Sequence, residues 1–544
     1  MSTAEPEVNH EIKVPGTIHL VDLEGTLDIR HEEGDDIVLV PQPTDDPDDP
    51  LNWSKPRKMK LAFCLMLAVF SADILSTALS AVLLVIEADT GISLTDLNTG
   101  VGIQYLFFGW SNLIWQPLGL TFGRRPIILF CGLACMLCTI WSAYVTSAGE
   151  WYINRLLVGT FYGPIETLIE VCISDVFFAH ERGGWIAWYC WTLFNIPFLS
   201  GIVAGFISDR YGWQWIQFIA SIIASGCLII LFFCLEETMY YRDPILELDH
   251  VEEITQDVLP KLSEKSNTKV NVENVNSDET PNTATYTRKT FAQKLKLWGA
   301  RDKRQKNVFF QSMWMPFYLV KYPSILFAGL TVGAVLSWFN VVNATIASVL
   351  GDPPYNFSAD IVGVFFICPA IGISLGSYFS GKIADQYTVR QARKSEGYRE
   401  PESRLFISII PMIIHPFGCF LYGIGAAKGI HWIGLAFGLG MICSTFPMGS
   451  AIAINYIIDC YKEVSGDGLV TMILIRNSMG FGFSYAVTPW LEKVGVQNLY
   501  IAIGFLGMFF WGLSFAMIAV GKKFREKTAQ SYWDLIDKYG FKAH

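Results

Sequence analysis

Stretches of about 20 mostly apolar residues recur along this chain, and no other feature of the sequence restricts the fold as strongly. A helix of about 20 residues crosses the hydrocarbon core of a bilayer, which is about 30 Å thick. Because backbone polar groups in lipid need partners within the segment, such stretches fold as helices. We predict an all-α membrane protein with twelve transmembrane helices, near residues 60–86, 99–120, 126–147, 152–175, 185–208, 214–235, 323–350, 359–383, 404–425, 431–457, 468–491 and 498–520.

The composition agrees with lipid as the main solvent of the chain. Of its 544 residues, 52% are hydrophobic and 17% are charged, whereas about 25% of the residues of an average soluble protein are charged. The mean hydropathy is +0.35. Most of the twelve cysteines lie inside apolar stretches, which is typical of small hydrophobic side chains and not of a disulfide framework. We therefore expect an integral, multi-pass protein in contact with membrane lipids and without a metal site.

A hydrophilic stretch rich in Asn, Thr, Lys and Glu separates the first six predicted helices from the last six. Such a stretch cannot bury apolar surface and is predicted to be a linker. The N-terminal tail contains fourteen Asp or Glu residues within positions 1–50, against Lys13 and Arg30, which argues against a nucleic-acid partner. The predicted regions are a disordered, acidic, cytoplasmic tail (1–58), a six-helix bundle (59–239), a cytoplasmic linker (240–310), a second six-helix bundle (311–521) and a cytoplasmic C-terminal tail (522–544).

The basic residues fall on one side of the membrane when twelve helices are threaded with the N-terminus in the cytoplasm. Loops rich in Lys and Arg face the cytoplasm in membrane proteins. The opposite loops contain only Arg210, Lys428 and Lys493. We therefore predict that both termini are cytoplasmic. An odd number of helices, as in a seven-helix receptor, would destroy this distribution. The cytoplasmic basic residues are Lys55, Arg57, Lys58, Lys60, Arg124, Arg125, Arg182, Lys382, Arg390, Arg393, Lys394, Arg399, Arg404, Lys522, Lys523, Arg525 and Lys527.

Two loops contain related motifs. Gly123, Arg124 and Arg125 lie between helices 2 and 3, and Gly381 and Asp385 keep the spacing of a second copy between helices 8 and 9. These loops resemble the major facilitator superfamily, whose motif reads roughly GxxxDRxGRR. The resemblance implies two six-helix bundles that arose by duplication. It also implies that these five residues act in the conformational change of transport.

Other segments are similar to the fungal drug:proton antiporter branch of this superfamily, and several also to yeast permeases of the polyamine and histidinol type. Pro197 and Gly201 on helix 5 belong to a degenerate antiporter motif, with Ile196 where the branch has Gly, and the resemblance implies that they too act in conformational gating. The loop motif departs from the family as well, because Leu120 stands in place of Asp. The resemblance implies proton-coupled transport, with both directions open. The further similar segments are PLNW (50–53), NTG (98–100), Arg155 with Gly159, DVFFAHERG (175–183), GWQW (212–215), EETMYYR (236–242) and Arg476 with Asn477.

Ionisable side chains within membrane spans usually face a cavity or a partner, so they are the first candidates for transport. Asp73 lies in helix 1, and Glu166 and Glu170 are four residues apart on one face of helix 4. Two close carboxylates raise each other's proton affinity, which proton coupling requires. Arg155 resembles the family's proton-coupling arginine. Alternatively, these acids pair with Arg155 for structure alone. Arg476 is also an ionisable residue within a span, and extension of its long side chain toward the cytoplasm is one interpretation.

Aromatic and amide side chains are candidates for the wall of a substrate cavity. Trp188, Trp191 and Asn195 lie on one stripe of helix 5. Aromatic faces together with carboxylates suit a cationic solute. The alternative for this stripe is packing against the core or lipid. Further candidates of the same kind are Trp338 and Asn340 on helix 7 and Tyr485 on helix 11.

The triplet NFS at residues 356–358 lies on the predicted outer loop between helices 7 and 8. Asn356 is therefore a candidate glycan acceptor.

The function classes follow from what the sequence contains. It has no GxxxxGK[ST] loop, which excludes an ATP-driven pump, and its eight His are scattered, so we expect no enzyme and no cofactor.

We predict a secondary transporter of a small organic solute, with a cation favoured, driven by protons. Efflux of a drug, toxin or secondary metabolite is the first interpretation. Uptake of a cationic nutrient such as a polyamine is the alternative, and a non-transporting nutrient-sensing receptor is another. The plasma membrane is expected, with a vacuolar or other internal membrane as the alternative.

Overall fold

The computed structural model of the protein describes residues 14–19, 39–41, 43, 44, 46–240, 293, 296, 309–351, 353–357, 359–395 and 398–539. Helices make up nearly all of the regular structure within these ranges. The strands described there are one antiparallel pair, β1 (Ile18–His19) and β2 (Tyr398–Arg399). The predicted all-α fold is therefore confirmed.

The first half of the protein consists of eight helices. A 3-10 segment, Ala78–Ala81, ends the first helix earlier than predicted. The predicted second span is interrupted at Ser111, whose backbone stays helical (φ −64°, ψ −25°) but separates two shorter helices. The helices are α1 (Lys55–Thr77), α2 (Leu83–Thr90), α3 (Leu94–Trp110), α4 (Asn112–Phe122), α5 (Arg124–Ser142), α6 (Ala148–Val176), α7 (Arg182–Tyr211) and α8 (Gln214–Cys234).

The described residues of the second half also form eight α-helices. Gly495, with φ 73° and ψ 165°, interrupts the last one, a conformation that glycine adopts without steric cost. The helices are α9 (Phe309–Leu319), α10 (Pro323–Gly351), α11 (Ala359–Phe365), α12 (Ile367–Tyr378), α13 (Ala384–Lys394), α14 (Ile409–Lys428), α15 (Trp432–Cys460) and α16 (Ser465–Tyr539), with a π segment at Phe379–Ile383 and a 3-10 segment at Pro401–Ser408.

Ten helical segments within the described ranges are long and apolar enough to cross a membrane. The segment that contains α16 counts once, although Gly495 divides that helix in the gap between two predicted spans. Helices α3 and α4, which together correspond to one predicted span, are each too short to be counted. The twelve-span architecture and the cytoplasmic position of the termini therefore stay predictions.

Several region boundaries differ from those expected. Helix α1 begins at Lys55, inside the predicted tail, and α9 begins at Phe309, inside the predicted linker. Helix α16 continues to Tyr539, through the region expected to be a C-terminal tail. Of the predicted linker, only residues 240, 293, 296, 309 and 310 are described. Parts of the acidic tail, including β1, pack against the helices. Disorder is thus the wrong expectation for those parts.

The two halves pack along a shared interface. Helix α3 packs on α16, and α7 packs on α12 and α15. Phe194 of α7 contacts Phe339 of α10 and Phe446 of α15, with ring centroids 5.8 and 6.0 Å apart. Helix α6 lies close to α3 because Gly159 has no side chain: a Cβ there would be 2.5 Å from the Gln104 carbonyl oxygen. This close packing places α6 near the centre of the molecule.

One end of the molecule collects the starts of α5 and α7 and the ends of α6 and α15, and we call it the basic end. At this end, Arg124 of α5 binds Asp175 of α6, with 3.2 Å between nitrogen and oxygen. Arg182 of α7 binds Asp459 of α15, which joins the two halves. The basic end is the one predicted to face the cytoplasm.

Candidate transport site

A buried ion pair connects the two halves at the centre of the molecule. The two guanidinium nitrogens Nη1 and Nη2 of Arg476 donate to Oε1 and Oε2 of Glu166 at 2.5 and 2.7 Å. The residues are only 5% and 3% exposed, respectively. Such a two-point, charge-assisted contact fixes both distance and orientation. Glu166 lies on α6 and Arg476 on α16, so the contact also fixes the halves relative to each other.

The pair borders a cavity that contains a second carboxylate. The hydroxyl of Tyr162 donates to Oδ1 of Asp73 at 2.6 Å. Oδ2 of Asp73 is buried and has no hydrogen-bond partner among the described residues. The ring of Tyr162 stacks on Phe108 with 4.0 Å between centroids. The lining residues are Asp73, Thr77, Tyr105, Phe108, Tyr162, Glu166, Leu193, Phe194, Pro197, Leu336, Phe339, Arg476 and Asn477.

The other predicted coupling residues lie behind this cavity. Glu170 is fully buried, facing the hydroxyl of Tyr189 and the charges of Glu166 and Arg476. Its position one turn from Glu166 agrees with the predicted common face, but it does not line the cavity.

Arg155 lies in the first half, away from the acids. Its Nη1 donates to Oε1 of Gln104 at 3.2 Å and its Nη2 to Oδ1 of Asn154 at 2.9 Å. The guanidinium also lies 4.3 Å from the ring centroid of Trp151. The structural pairing of Arg155 with Glu166, Glu170 or Asp73 that the sequence left open is not found. Arg476, expected to extend toward the cytoplasm, is instead the partner of Glu166, because a buried carboxylate on another helix is within reach.

The predicted aromatic wall differs from the observed one. Trp188 and Tyr485 are 58% and 70% exposed on the surface of the helices. Trp191 donates its ring N–H to the Ser374 hydroxyl at 2.8 Å, so it joins α7 to α12. The side chains that form the wall are instead Tyr105, Phe108, Tyr162, Phe194 and Phe339.

The remaining predicted wall residues serve packing. Trp338 is buried and its ring contacts those of His415 and Phe483. Asn340 donates to the Gly480 carbonyl at 3.2 Å and to the Ser484 hydroxyl at 2.9 Å, which holds α10 to α16. Asn195 is buried within α7. None of the six predicted wall residues borders the cavity described above.

The second copy of the loop motif contacts the opposite half. A Cβ at Gly381 would lie 2.8 Å from the Cβ of Ala187 on α7. Asp385 accepts a hydrogen bond from Arg404 at 2.8 Å and faces the start of α7 at Gly183. The motif therefore lies on the interface that must change when the halves separate at the basic end.

The first copy makes its contacts mainly within its own half. Gly123 has φ 104° and precedes α5. The backbone N–H groups of Arg124 and Arg125 both donate to the Glu237 carboxylate at 3.0 Å. The first copy thus stabilises the start of α5.

The remaining predicted gating residues lie on α7. Pro197 lines the cavity and Gly201 is buried.

A charge cluster joins the halves at the basic end. Asp459 of α15 binds Arg182 of α7 and Arg399 of β2. Arg399 also donates to the Ala179 carbonyl at 3.5 Å, a contact with the first half. Burial lowers the pKa of Arg399 to about 10, so its guanidinium remains charged at neutral pH. We call Ala179, Arg182, Arg399 and Asp459 the gate cluster.

The predicted glycan acceptor is exposed. Asn356 has φ 47° and lies in the loop between α10 and α11. Its position agrees with an acceptor site, and glycosylation stays a prediction.

Residues 61–458 match the family model of the Major Facilitator Superfamily, which extends over the first half and into the second. The chain belongs to the major facilitator superfamily. Similar proteins of this superfamily extend over nearly the whole chain. An MFS-type transporter of Schizosaccharomyces pombe is 29% identical, covering 96% of this chain and 95% of the relative. Protein HOL1 of Saccharomyces cerevisiae is 26% identical, covering 92% of both.

Solved structures of the superfamily share the fold. The proton:xylose symporter XylE of E. coli has a TM-score of 0.58 and 14% identity, over 86% of this chain and 97% of that chain. The human organic anion transporter MFSD10 has a TM-score of 0.56 and 12% identity, over 85% and 100%. At this identity the likeness establishes the fold alone.

Membership in the superfamily confirms the coarser predictions. This protein is an integral, multi-pass membrane protein of a transporter family, and its relatives are transporters of small solutes and not enzymes. The aromatic residues of the cavity were missed because they lie on α3, α6, α7 and α10, which only the tertiary structure brings together. For the central pair, the sequence offered one indication: an acid, Glu166, and a base, Arg476, each lie within an apolar stretch.

Proposed function

We propose that this major facilitator superfamily protein is a proton-coupled transporter of a small organic cation, with Glu166 as the proton-binding residue. The observation that supports the proposal is the two-point contact between Glu166 and Arg476 across the halves, next to the cavity. A carboxylate that both binds a proton and holds two bundles together can couple a proton to a conformational change.

The coupling follows from the state of the ion pair. While Glu166 is ionised, its contact with Arg476 stabilises the arrangement of α6 and α16 seen here. A proton on Glu166 removes the charge that compensates the buried guanidinium. Breaking a buried ion pair from one side typically costs about 3–5 kcal/mol, so the halves gain a comparable drive to rearrange. Because protonation favours one arrangement over the other, it shifts the population between them.

The charges and rings of the cavity support a cationic solute. The lining contains two carboxyl groups, of Asp73 and Glu166, and one guanidinium, of Arg476, so acids outnumber bases. Tyr105, Phe108 and Phe339 offer aromatic faces that attract a cation. A cation bound at Oδ2 of Asp73 would satisfy that unpaired oxygen. It would also compete with Arg476 for Glu166, which links the solute to the same ion pair as the proton.

Efflux of a drug, toxin or secondary metabolite across the plasma membrane is the direction that we propose. Uptake of a cationic nutrient such as a polyamine uses the same residues in the opposite order of proton and solute binding. A receptor without transport would bind the solute but move none. One flux experiment separates these three functions.

The experiment measures direction in a host that lacks its own multidrug and polyamine carriers. Cells expressing the protein receive labelled spermidine or a lipophilic cationic dye at acidic outside pH, with and without a collapsed proton gradient. Dye exclusion that fails in Glu166→Gln and on collapse of the gradient supports the proposal. Spermidine accumulation with protons overturns the direction, and absence of flux with the protein in the membrane overturns transport.

A matched control separates the role of Glu166 from the loss of any buried ion pair. Glu402 accepts two hydrogen bonds from Nε and Nη2 of Arg525, at 2.9 and 2.6 Å, and is thus held by a second buried two-point contact, at the basic end. Glu402→Gln should therefore affect stability and leave the proton dependence of flux unchanged. Equal loss of proton dependence in both variants would contradict the assignment of Glu166.

A further inference from the structure

Part of the N-terminal tail docks on the gate cluster. Residues 14–19, which we call the latch, include β1, paired antiparallel with β2 so that Ile18 lies opposite Arg399 and His19 opposite Tyr398. Arg399 is itself a member of the gate cluster. The latch therefore contacts the residues that hold the halves together at the basic end.

The latch fits closely against the end of α15. Gly16, with φ 89°, lies so near that a Cβ would be 2.7 Å from the Asp459 carbonyl oxygen and 2.9 Å from Cα of Cys460. Both the positive φ and the lack of space require glycine at this position. The carboxylate of Asp459 binds Arg182 of the first half. The latch thus packs on the backbone of the residue that bridges the two halves.

The extension of α16 supplies a second contact. Arg525, fully buried, donates from Nη1 to the Pro15 carbonyl at 2.6 Å. The Thr17 hydroxyl donates to Oε2 of Glu400 at 3.1 Å, and Arg525 also binds Glu400 at 2.8 Å. The latch is consequently held by β2, the end of α15 and α16 together.

The tail contacts the first half as well. The N–H of Ala179 donates to the Val40 carbonyl at 2.9 Å. Ala179 is the gate-cluster residue whose own carbonyl accepts from Arg399. The chain between His19 and Val40 could span roughly 70 Å if extended, so its length does not restrain the halves. Among the described residues of the tail, its docked contacts are the means by which it can act on the halves.

We propose that the latch stabilises the conformation that is closed at the basic end, and that its release favours opening there. Its docking site depends on Arg399 and Asp459, whose positions depend on Ala179 and Arg182 of the opposite half. Separation of the halves changes that site and lowers the affinity of the latch for it. By linkage, docking of the latch shifts the equilibrium between open and closed molecules toward the closed form by the same factor. The tail is thereby a conformational control element, independent of the identity of the solute.

The test measures the distance between the halves at the basic end. Spin labels are placed at the exposed positions Lys60→Cys and Lys527→Cys, after replacement of the half-buried Cys138, Cys234 and Cys368. Pulsed spin resonance then gives the distance distribution in the full-length protein and in two variants, Gly16→Val and a deletion of residues 2–19. The expected result is a shift of the ratio of open to closed molecules by roughly tenfold, the effect of one charge-assisted hydrogen bond.

The matched control is Gly91→Val, which has a similar positive φ of 73° but nothing within 4 Å of a Cβ. It should leave the distance distribution unchanged. If Gly16→Val does not fold, the deletion variant alone decides. Adding a synthetic peptide of residues 12–21 to the deletion variant should restore the short distance. An unchanged distribution in the deletion variant, or a shift toward the closed form, overturns the proposal.

Discussion

Arg182 of the first half and Asp459 of the second form an ion pair that closes the basic end, and both side chains are less than 10% exposed. Asp459→Asn keeps the shape but removes the charge that compensates Arg182 and Arg399. We expect a loss of about 3–5 kcal/mol in the stability of the closed form, since an uncompensated buried charge remains. Opening of the basic end exposes groups that are buried in the closed form. A cysteine that is buried at this end should therefore react faster with a thiol-specific reagent. An unchanged labelling rate, compared with an exposed Glu526→Gln control, would contradict this role.

The central pair predicts non-additive effects on stability. Glu166→Gln and Arg476→Leu each leave one buried partner unsatisfied and should each destabilise the protein by about 3–5 kcal/mol. The double variant removes both charges, so it should be more stable than the sum of the two changes predicts. Thermal unfolding in detergent at neutral pH measures all four proteins. Simple additivity would show that the two side chains do not interact.

Asp73 and Tyr162 predict an effect on solute affinity. Tyr162→Phe removes the hydrogen bond to the carboxylate, a contact worth about 1.5–3 kcal/mol, while keeping the ring that stacks on Phe108. We expect the KM for a cationic solute to change by tenfold or more, as the carboxylate reorients. Trp188→Phe, at an exposed position outside the cavity, is the control and should leave KM unchanged. A changed KM in Trp188→Phe together with an unchanged KM in Tyr162→Phe would instead support the cavity wall that the sequence predicts.

Two glycines test helix packing. Gly159→Ala introduces a Cβ 2.5 Å from the Gln104 carbonyl, so α6 must move away from α3 and the protein should lose stability. Gly226 of α8 has nothing within 4 Å, and Gly226→Ala should be neutral or stabilising by about 0.5–1 kcal/mol. Melting temperatures of the two variants check the contrast. Equal shifts would mean that α3 and α6 are further apart than described.

Asn356 predicts the side of the membrane that its loop faces. If the loop is outside the cytoplasm, as the distribution of basic residues predicts, a glycan can be added there. Asn356→Gln should then increase electrophoretic mobility, and glycosidase treatment should no longer alter it. A wild-type protein insensitive to glycosidase would remove the glycan prediction.

The helices were predictable from sequence, because length and hydropathy alone determine a span. Helices α6, α7, α10 and α15 lie within a few residues of the predicted bounds, and Gly495 falls between the last two predicted spans. The interruption at Ser111 was not predicted. Its backbone remains helical there, and Gly109, two residues earlier, is the only local sign of a weak point in the helix.

The candidate site was predictable only in part. Ionisable residues in spans identified Asp73 and Glu166 at the cavity. The pairing of Glu166 with Arg476 was missed because it joins residues 310 positions apart. The stripe of Trp188, Trp191 and Asn195 was predicted to line the cavity, but none of the three borders the cavity described above. Lipid and protein interior are equally apolar, so in a sequence an aromatic face toward lipid resembles one toward a cavity. The tail was expected to be disordered from its composition, but its docked residues are held by arginines and backbone contacts that composition does not reveal.

After Gly495, α16 continues as one uninterrupted helix to Tyr539. At a rise of about 1.5 Å per residue, this rod is roughly 65 Å long and reaches well beyond the predicted last span. A rod of that length acts as a lever: a tilt of about 10° displaces one end by roughly 11 Å relative to the other. Any rocking of this helix within the membrane would thereby be magnified at the C-terminal end, where a fluorescent tag would report it.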